Sequence, residues 1–144
     1  MQDNVFSRSL ITGPLERALA PTTAAPPVWI ARMDRALAGV EEAVESRGRL
    51  KVGRLGEVSG LIPSPGVDRR LVRLREALGG LAEEASAIRD EMRREVESAP
   101  QLGPASLQRF HRRAAALLLG LEEYELEEAR LILESVNTDI GAGD

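Results

Sequence analysis

Residues Val67 to Ser98 read VDRRLVRLREALGGLAEEASAIRDEMRREVES. Apolar side chains recur at Val67, Leu71, Leu74, Leu78, Leu81, Ala85, Ile88 and Met92. The spacing alternates between four and three throughout, which places all eight on one stripe of an α-helix and leaves the charged residues on the rest of its surface. Seven arginines (Arg69, Arg70, Arg73, Arg75, Arg89, Arg93, Arg94) are interspersed with eight carboxylates (Asp68, Glu76, Glu83, Glu84, Asp90, Glu91, Glu95, Glu97). Mixed signs at helical spacing make a solvated, ion-paired exterior. Gly79 and Gly80 interrupt the stretch at about 1 kcal/mol each relative to alanine; a close helix crossing or a mild kink would account for them. Pro100 and Gly103-Pro104 end the helix.

On the N-terminal side, Ile30, Met33, Leu37, Val40 and Val44 form a second stripe. It predicts a helix from near Pro27, a residue suited to a first turn, to Ser46–Gly48, where Arg47 meets the negative helix end and Gly48 is a candidate terminator. Residues 49–66 read as a connector, a short helix or one-sided apolar loop stopped by Pro63-Ser-Pro65-Gly66. On the C-terminal side a third helix is expected over Pro104 to Val136. Its first seam is Leu107, Phe110, Ala114, Leu117, Leu121 and Tyr124, and it then moves to Leu126, Ala129, Leu133 and Val136. Leu117, Leu118 and Leu119 widen the apolar face, as in a helix with two neighbours. Gly141 is a candidate terminator in the tail.

Before the first stripe, Ala20 to Pro27 holds three prolines in eight residues and reads as extended chain. A helical turn around Leu15 to Ala20 would need a packing partner, because short helices nucleate poorly. The expected organisation is therefore a Pro-rich segment 1–27, a bundle over 28–138 and a tail 139–144. The fold class is all-α: an antiparallel helical bundle of three long helices plus a short or irregular fourth element. Three helices of unequal length leave apolar surface open, to be covered by the connector, by the N-terminal segment or by a second copy of the chain.

Composition agrees with this reading. The 144 residues are 43% hydrophobic and 29% charged, typical of a globular domain, and long enough to bury roughly 68% of the unfolded chain's surface. There are no cysteines, hence no thiolate ligands and no thiol nucleophile. A net charge of -4 argues against a nucleic-acid partner. The start, MQDNVFSRSLITG, lacks the basic and apolar regions of a secretion signal, and no run of about 18 apolar residues exists; a cytoplasmic protein with no membrane partner is expected. Eighteen arginines against the single Lys51 reflect coding bias.

Sites for chemistry are few. His111 is the only imidazole. It falls beside the apolar seam next to Arg112 and Arg113, reads as a surface histidine, and has no nucleophile or orienting carboxylate nearby in sequence. Glu122, Glu123, Glu125, Glu127 and Glu128 place five carboxylates in seven residues; they wrap around the helix as a solvated face paired with arginines of the preceding helix. The alternative is a cation- or small-ligand-binding sensor built on Glu122, Glu125 and His111. A Glu-x-x-His dimetal site is excluded, because Gln108 stands three residues before His111. The Arg69–Arg75 cluster is an alternative anion grip. Trp29 and Tyr124 read as packing residues, and no phosphate-binding loop, dinucleotide loop or hydrolase elbow is present.

Three stretches resemble the hemerythrin-like (HHE cation-binding) bundles: Ala36–Gly56 (ALAGVEEAVESRGRLKVGRLG), Leu71–Leu81 (LVRLREALGGL) and Leu121–Asp144 (LEEYELEEARLILESVNTDIGAGD). The first is similar to the family's His-bearing helix, the second to its Leu-Arg-x-Glu-His-x-x-Leu segment and the third to its last helix with an Asp-Ile-Gly tail. The resemblance implies the bundle fold. It departs at the ligands: Leu78 stands where the family has histidine, Val44 and Glu45 occupy the first site region, and Glu122-Glu123 or Tyr124-Glu125 fill the His-Glu position. The family's first helix is replaced by the Pro-rich segment. A degenerate member with no metal, no cofactor and no enzymatic activity is expected, acting as an interaction or regulatory module with a homodimeric or other protein partner.

Overall fold

The computed structural model describes the backbone of residues 11–57 and 65–143, and the side chains of 11–46, 66 and 68–134. Four helices follow one another among these residues: α1 (Gly13–Leu19), α2 (Pro26–Glu57), α3 (Pro65–Ser98) and α4 (Pro104–Gly143). No strand occurs among them. The chain is an all-α bundle.

Proline opens each long helix, where a missing N–H is harmless. At the start of α2 the N–H groups of Val28 and Trp29 both donate to Ala25 O, at 2.9 and 3.0 Å. At the start of α4, Leu107 N–H donates to Gly103 O at 3.2 Å. The end of α3 is closed by Ala99 N–H donating to Glu95 O at 2.8 Å, and Pro100 follows.

α3 packs on both α2 and α4, and α1 packs on α2 and α4 at the other corner. Ion pairs give the direction of the α3–α4 pair. As the α3 number rises through Arg70, Glu84, Glu91 and Glu95, the α4 partner falls through Glu134, Arg113 and Arg109. The two helices are antiparallel. Arg89 of α3 bridges to α2, donating to Asp34 at 3.0 Å and Glu41 at 2.8 Å.

The predicted stripes supply the core. Met33, Leu37, Val40 and Val44 of α2 are buried, as are Leu78, Ala85, Ile88 and Met92 of α3, and Phe110, Ala114, Leu117, Leu121 and Tyr124 of α4. Burial fades towards the start of α3, where Leu71 and Leu74 are only half-buried. The seven-residue α1 adds Leu15 and Ala18, with Ile11 just ahead of it, to the same core cluster as Met33, Met92 and Phe110.

Five boundaries and packing details differ from expectation. α1 occupies part of the segment 1–27, starting two residues before the expected Leu15–Ala20 turn and ending one residue before its end, and it has its packing partner: Ile11, Leu15 and Ala18 are in the core. α2 runs through Gly48 to Glu57, so half of the expected connector is helix. Glycine costs helix stability without forbidding helix, and no described glycine takes positive φ. Residues 58–64 of the connector lie outside the described residues. α4 likewise continues through Gly141 to Gly143, so 139–143 extend the helix instead of forming a tail. The α4 seam does not move to Leu126 and Leu133, which are exposed; its phase is kept by Tyr124, Glu128 and Leu131, the last buried. Glu128 hid that continuity because it is polar, and it is tolerated there because Tyr124 Oη–H donates to it at 3.1 Å.

The fifth concerns glycine. Gly79 and Gly80 are exposed, and a Cβ on either would meet nothing within 4 Å. They mark no close crossing. The close approach is at Gly120, where a Cβ would fall 2.7 Å from Leu81 Cδ2. Gly79→Ala and Gly80→Ala are therefore each expected to stabilise the bundle by about 1 kcal/mol. The urea midpoint should rise at unchanged slope; a fall in midpoint would reveal a backbone that alanine cannot adopt.

Candidate functional site

The described residues offer three features outside the core: a clasp on α1, a belt of ion pairs across α3 and α4, and an apolar line on the outer face of α4. The clasp forms where the C-terminal carbonyls of α1 need partners. Trp29 of α2 donates its indole N–H to Ala18 O at 3.2 Å. His111 of α4 stacks on Trp29 with ring centroids 6.3 Å apart and planes 20° apart. Its Nε2 lies 3.4 Å from Leu19 O, a long contact in which the Nε2–H tautomer donates. Two side chains 82 positions apart thus hold one short helix end. Nothing local in the sequence could have shown it, since the partners meet only after α2 and α4 pack.

In the belt, Arg113 donates to Glu91 and to Glu84, the latter at 3.2 Å. Arg109 donates to Glu95, which also accepts from Ser106 Oγ–H at 2.7 Å, and Arg70 donates to Glu134. The Arg113 guanidinium holds the Glu91 carboxyl below its ordinary 4.5. Arg70 does the same to Glu134. Hydrogen bonds to Glu91 and to Glu41 raise Arg113 and Arg89 respectively. The sign follows directly. A carboxyl depressed on folding contributes stability that is complete above its unfolded pKa, and loses it as pH falls through the folded value. Glu91→Gln should therefore lower the urea midpoint at pH 6 slightly and leave it unchanged at pH 2, because a half-exposed pair is screened by water. Equal losses at both pH values would assign the effect to packing.

Of the carboxylates singled out in the sequence, Glu122 and Glu123 are exposed and Glu125 is half-buried. Glu127 pairs with Arg130 of its own helix at 2.7 Å, and Glu128 accepts from Tyr124. The cross-helix pairs with α3 run instead through Arg109, Arg113 and Glu134. His111 and Glu122 stand eleven residues apart on one helix, about 16 Å along its axis, so α4 does not bring them to one site. Among the described residues no group of three or more His, Cys, Asp or Glu side chains is placed to hold a metal ion. Arg70, Arg73, Leu74, Ala77, Glu127 and Leu131 line a shallow groove of about 260 Å³ between α3 and α4. Trp29 and Tyr124 are buried packing residues. No described helix is long and apolar enough to cross a membrane.

The apolar line comprises Leu119, Leu126 and Leu133, at 61, 54 and 61% exposure. They are spaced by seven residues and point away from the Phe110–Leu131 seam. Single exposed leucines are ordinary; three in a row on one helix face are a patch. The sequence assigned Leu126 and Leu133 to the core, and the same three-and-four spacing that makes a seam was the cause.

Compared with protein-family models, with curated proteins and with solved structures, the chain matches none.

Proposed function

We propose that this chain is a non-catalytic, metal-free interaction module of hemerythrin-like architecture, acting in the cytoplasm and associating with a second copy of itself. The observation that carries the reading is the outward line of Leu119, Leu126 and Leu133. Core packing has no use for it, and water disfavours it. The interior supports the absence of catalysis and metal: Leu78, at the position where the resembling family bears a histidine, is 4% exposed among core side chains. The one imidazole is at the surface, engaged with Trp29 and the end of α1. A net charge of -4 disfavours nucleic acid as the partner.

Sedimentation velocity across a concentration series tests self-association. A monomer–dimer equilibrium is expected, and a strict monomer at high concentration would end the reading. Elemental analysis of protein purified without chelator tests the metal-free interior; a stoichiometric ion would overturn the metal-free reading.

A further inference from the structure

We infer that two copies pair through the outer face of α4, antiparallel, about a two-fold axis at Leu126, so that Leu119 of each copy packs against the partner's Leu133. The inference deepens the self-association reading and rests on it.

The charges beside the leucine line select the occupant and its direction. At 100° per residue, Glu123 and Arg130 flank the line on one side, and Glu122 and Ala129 flank it on the other. In an antiparallel pair each flank meets its own copy. Glu123 then lies opposite the partner's Arg130, and the contact is repeated by symmetry. Glu122 lies opposite the partner's Ala129, so no like charges meet. In a parallel pair the two flanks face each other at equal height, and Glu122 would meet the partner's Glu123 twice. Like charges so placed are repelled. Glu123 has no ion-pair partner among the described residues; Arg130 is held by Glu127 at the surface and remains exposed. Of the two ways a second copy can lie along this face, the antiparallel one complements both the leucines and the charges. Three leucines per copy make a narrow seam, below the roughly 800 Å² per partner of a standard interface, so the dimer is weak and dissociates on dilution.

The chain has no cysteine, so single cysteines report the register cleanly. Full-length Leu126→Cys, Leu119→Cys and Leu133→Cys substitute exposed positions and preserve the fold. Under mild oxidation Leu126→Cys should cross-link to itself, because the two sulfurs meet at the axis. Leu119→Cys alone should not, since its copies stand about 21 Å apart along the pair. Mixed with Leu133→Cys, it should give the heterodimer. Self-cross-linking of Leu119→Cys would show a parallel pair and overturn the inference. No cross-link at any position, with the unaltered chain still sedimenting as a dimer, would put the interface elsewhere; self-association would stand and this pairing would fall. A monomer in both assays would remove both. Charge reversal gives an independent readout: Glu123→Arg or Arg130→Glu should weaken the dimer about fivefold at low salt, from two surface pairs. The double reversal should restore it. A double variant weaker than either single would also sink the pairing.

Discussion

Phe110→Ala is expected to destabilise the bundle by about 3–5 kcal/mol, the largest loss from any single side chain on α4. Phe110 is fully buried and the bulkiest of the described residues to be so. It lies at the end of the bundle where α1 joins the core, so truncation opens a cavity that three long helices cannot collapse into without losing register along α3 and α4. A second loss follows at the surface. The Arg109 guanidinium sits 4.9 Å from the centre of the Phe110 ring while donating to Glu95; without the ring that arginine loses its apolar support and the ion pair loses geometry. A domain of this size has about 5–15 kcal/mol of stability in total, so the variant should be partly unfolded near 37 °C. The urea midpoint checks this, with Phe110→Leu as the comparison that retains most of the buried carbon and should lose less. A drop under about 1 kcal/mol would mean that the core is centred elsewhere.

How much of this was legible beforehand varies by element, for physical reasons. α3 was legible nearly to the residue, because eight apolar positions in unbroken four-and-three alternation admit one helical phase. The far ends of α2 and α4 were not. Gly48 and Gly141 are stop signals only when the chain takes positive φ there, and tertiary packing of the preceding turns can carry a helix through them. The α4 seam was legible as far as Tyr124 and lost at Glu128, where a carboxylate with a hydrogen-bonding tyrosine replaces an apolar residue. That one polar position made Leu126 and Leu133 look inward, and with them went the outer line on which the proposed pairing depends. The clasp of Trp29 and His111 was not legible at all, since neither residue has a local partner that marks it. The exposed placement of His111 was legible, from its position between the seam and two arginines.

The clasp leads to the second large effect, and here the expected outcome is local instead of global. Leu15→Ala removes a side chain that is fully buried between α2 and α4, a change of about 2–5 kcal/mol at a rigid core site. α1, however, is seven residues long, too short to be helical without its docking surface. Its stability is therefore that of the docked unit: Ile11, Leu15 and Ala18 against the core, plus the contacts of Trp29 and His111 to the carbonyls of Ala18 and Leu19. Once the loss exceeds what docking contributes, α1 releases as a unit and the rest of the bundle keeps its helices. Trp29 is the only tryptophan, and its indole N–H donates to Ala18 O, so its emission reports the event directly. The expected result is a red-shifted spectrum with most of the circular dichroism retained, and amide exchange that speeds up in α1 ahead of α3. His111→Ala should move emission the same way by less, since it removes a stacking partner and one long contact. If Leu15→Ala lowers the global urea midpoint by the full core value while the emission stays blue, α1 is an integral fourth helix and the bundle unfolds as one piece.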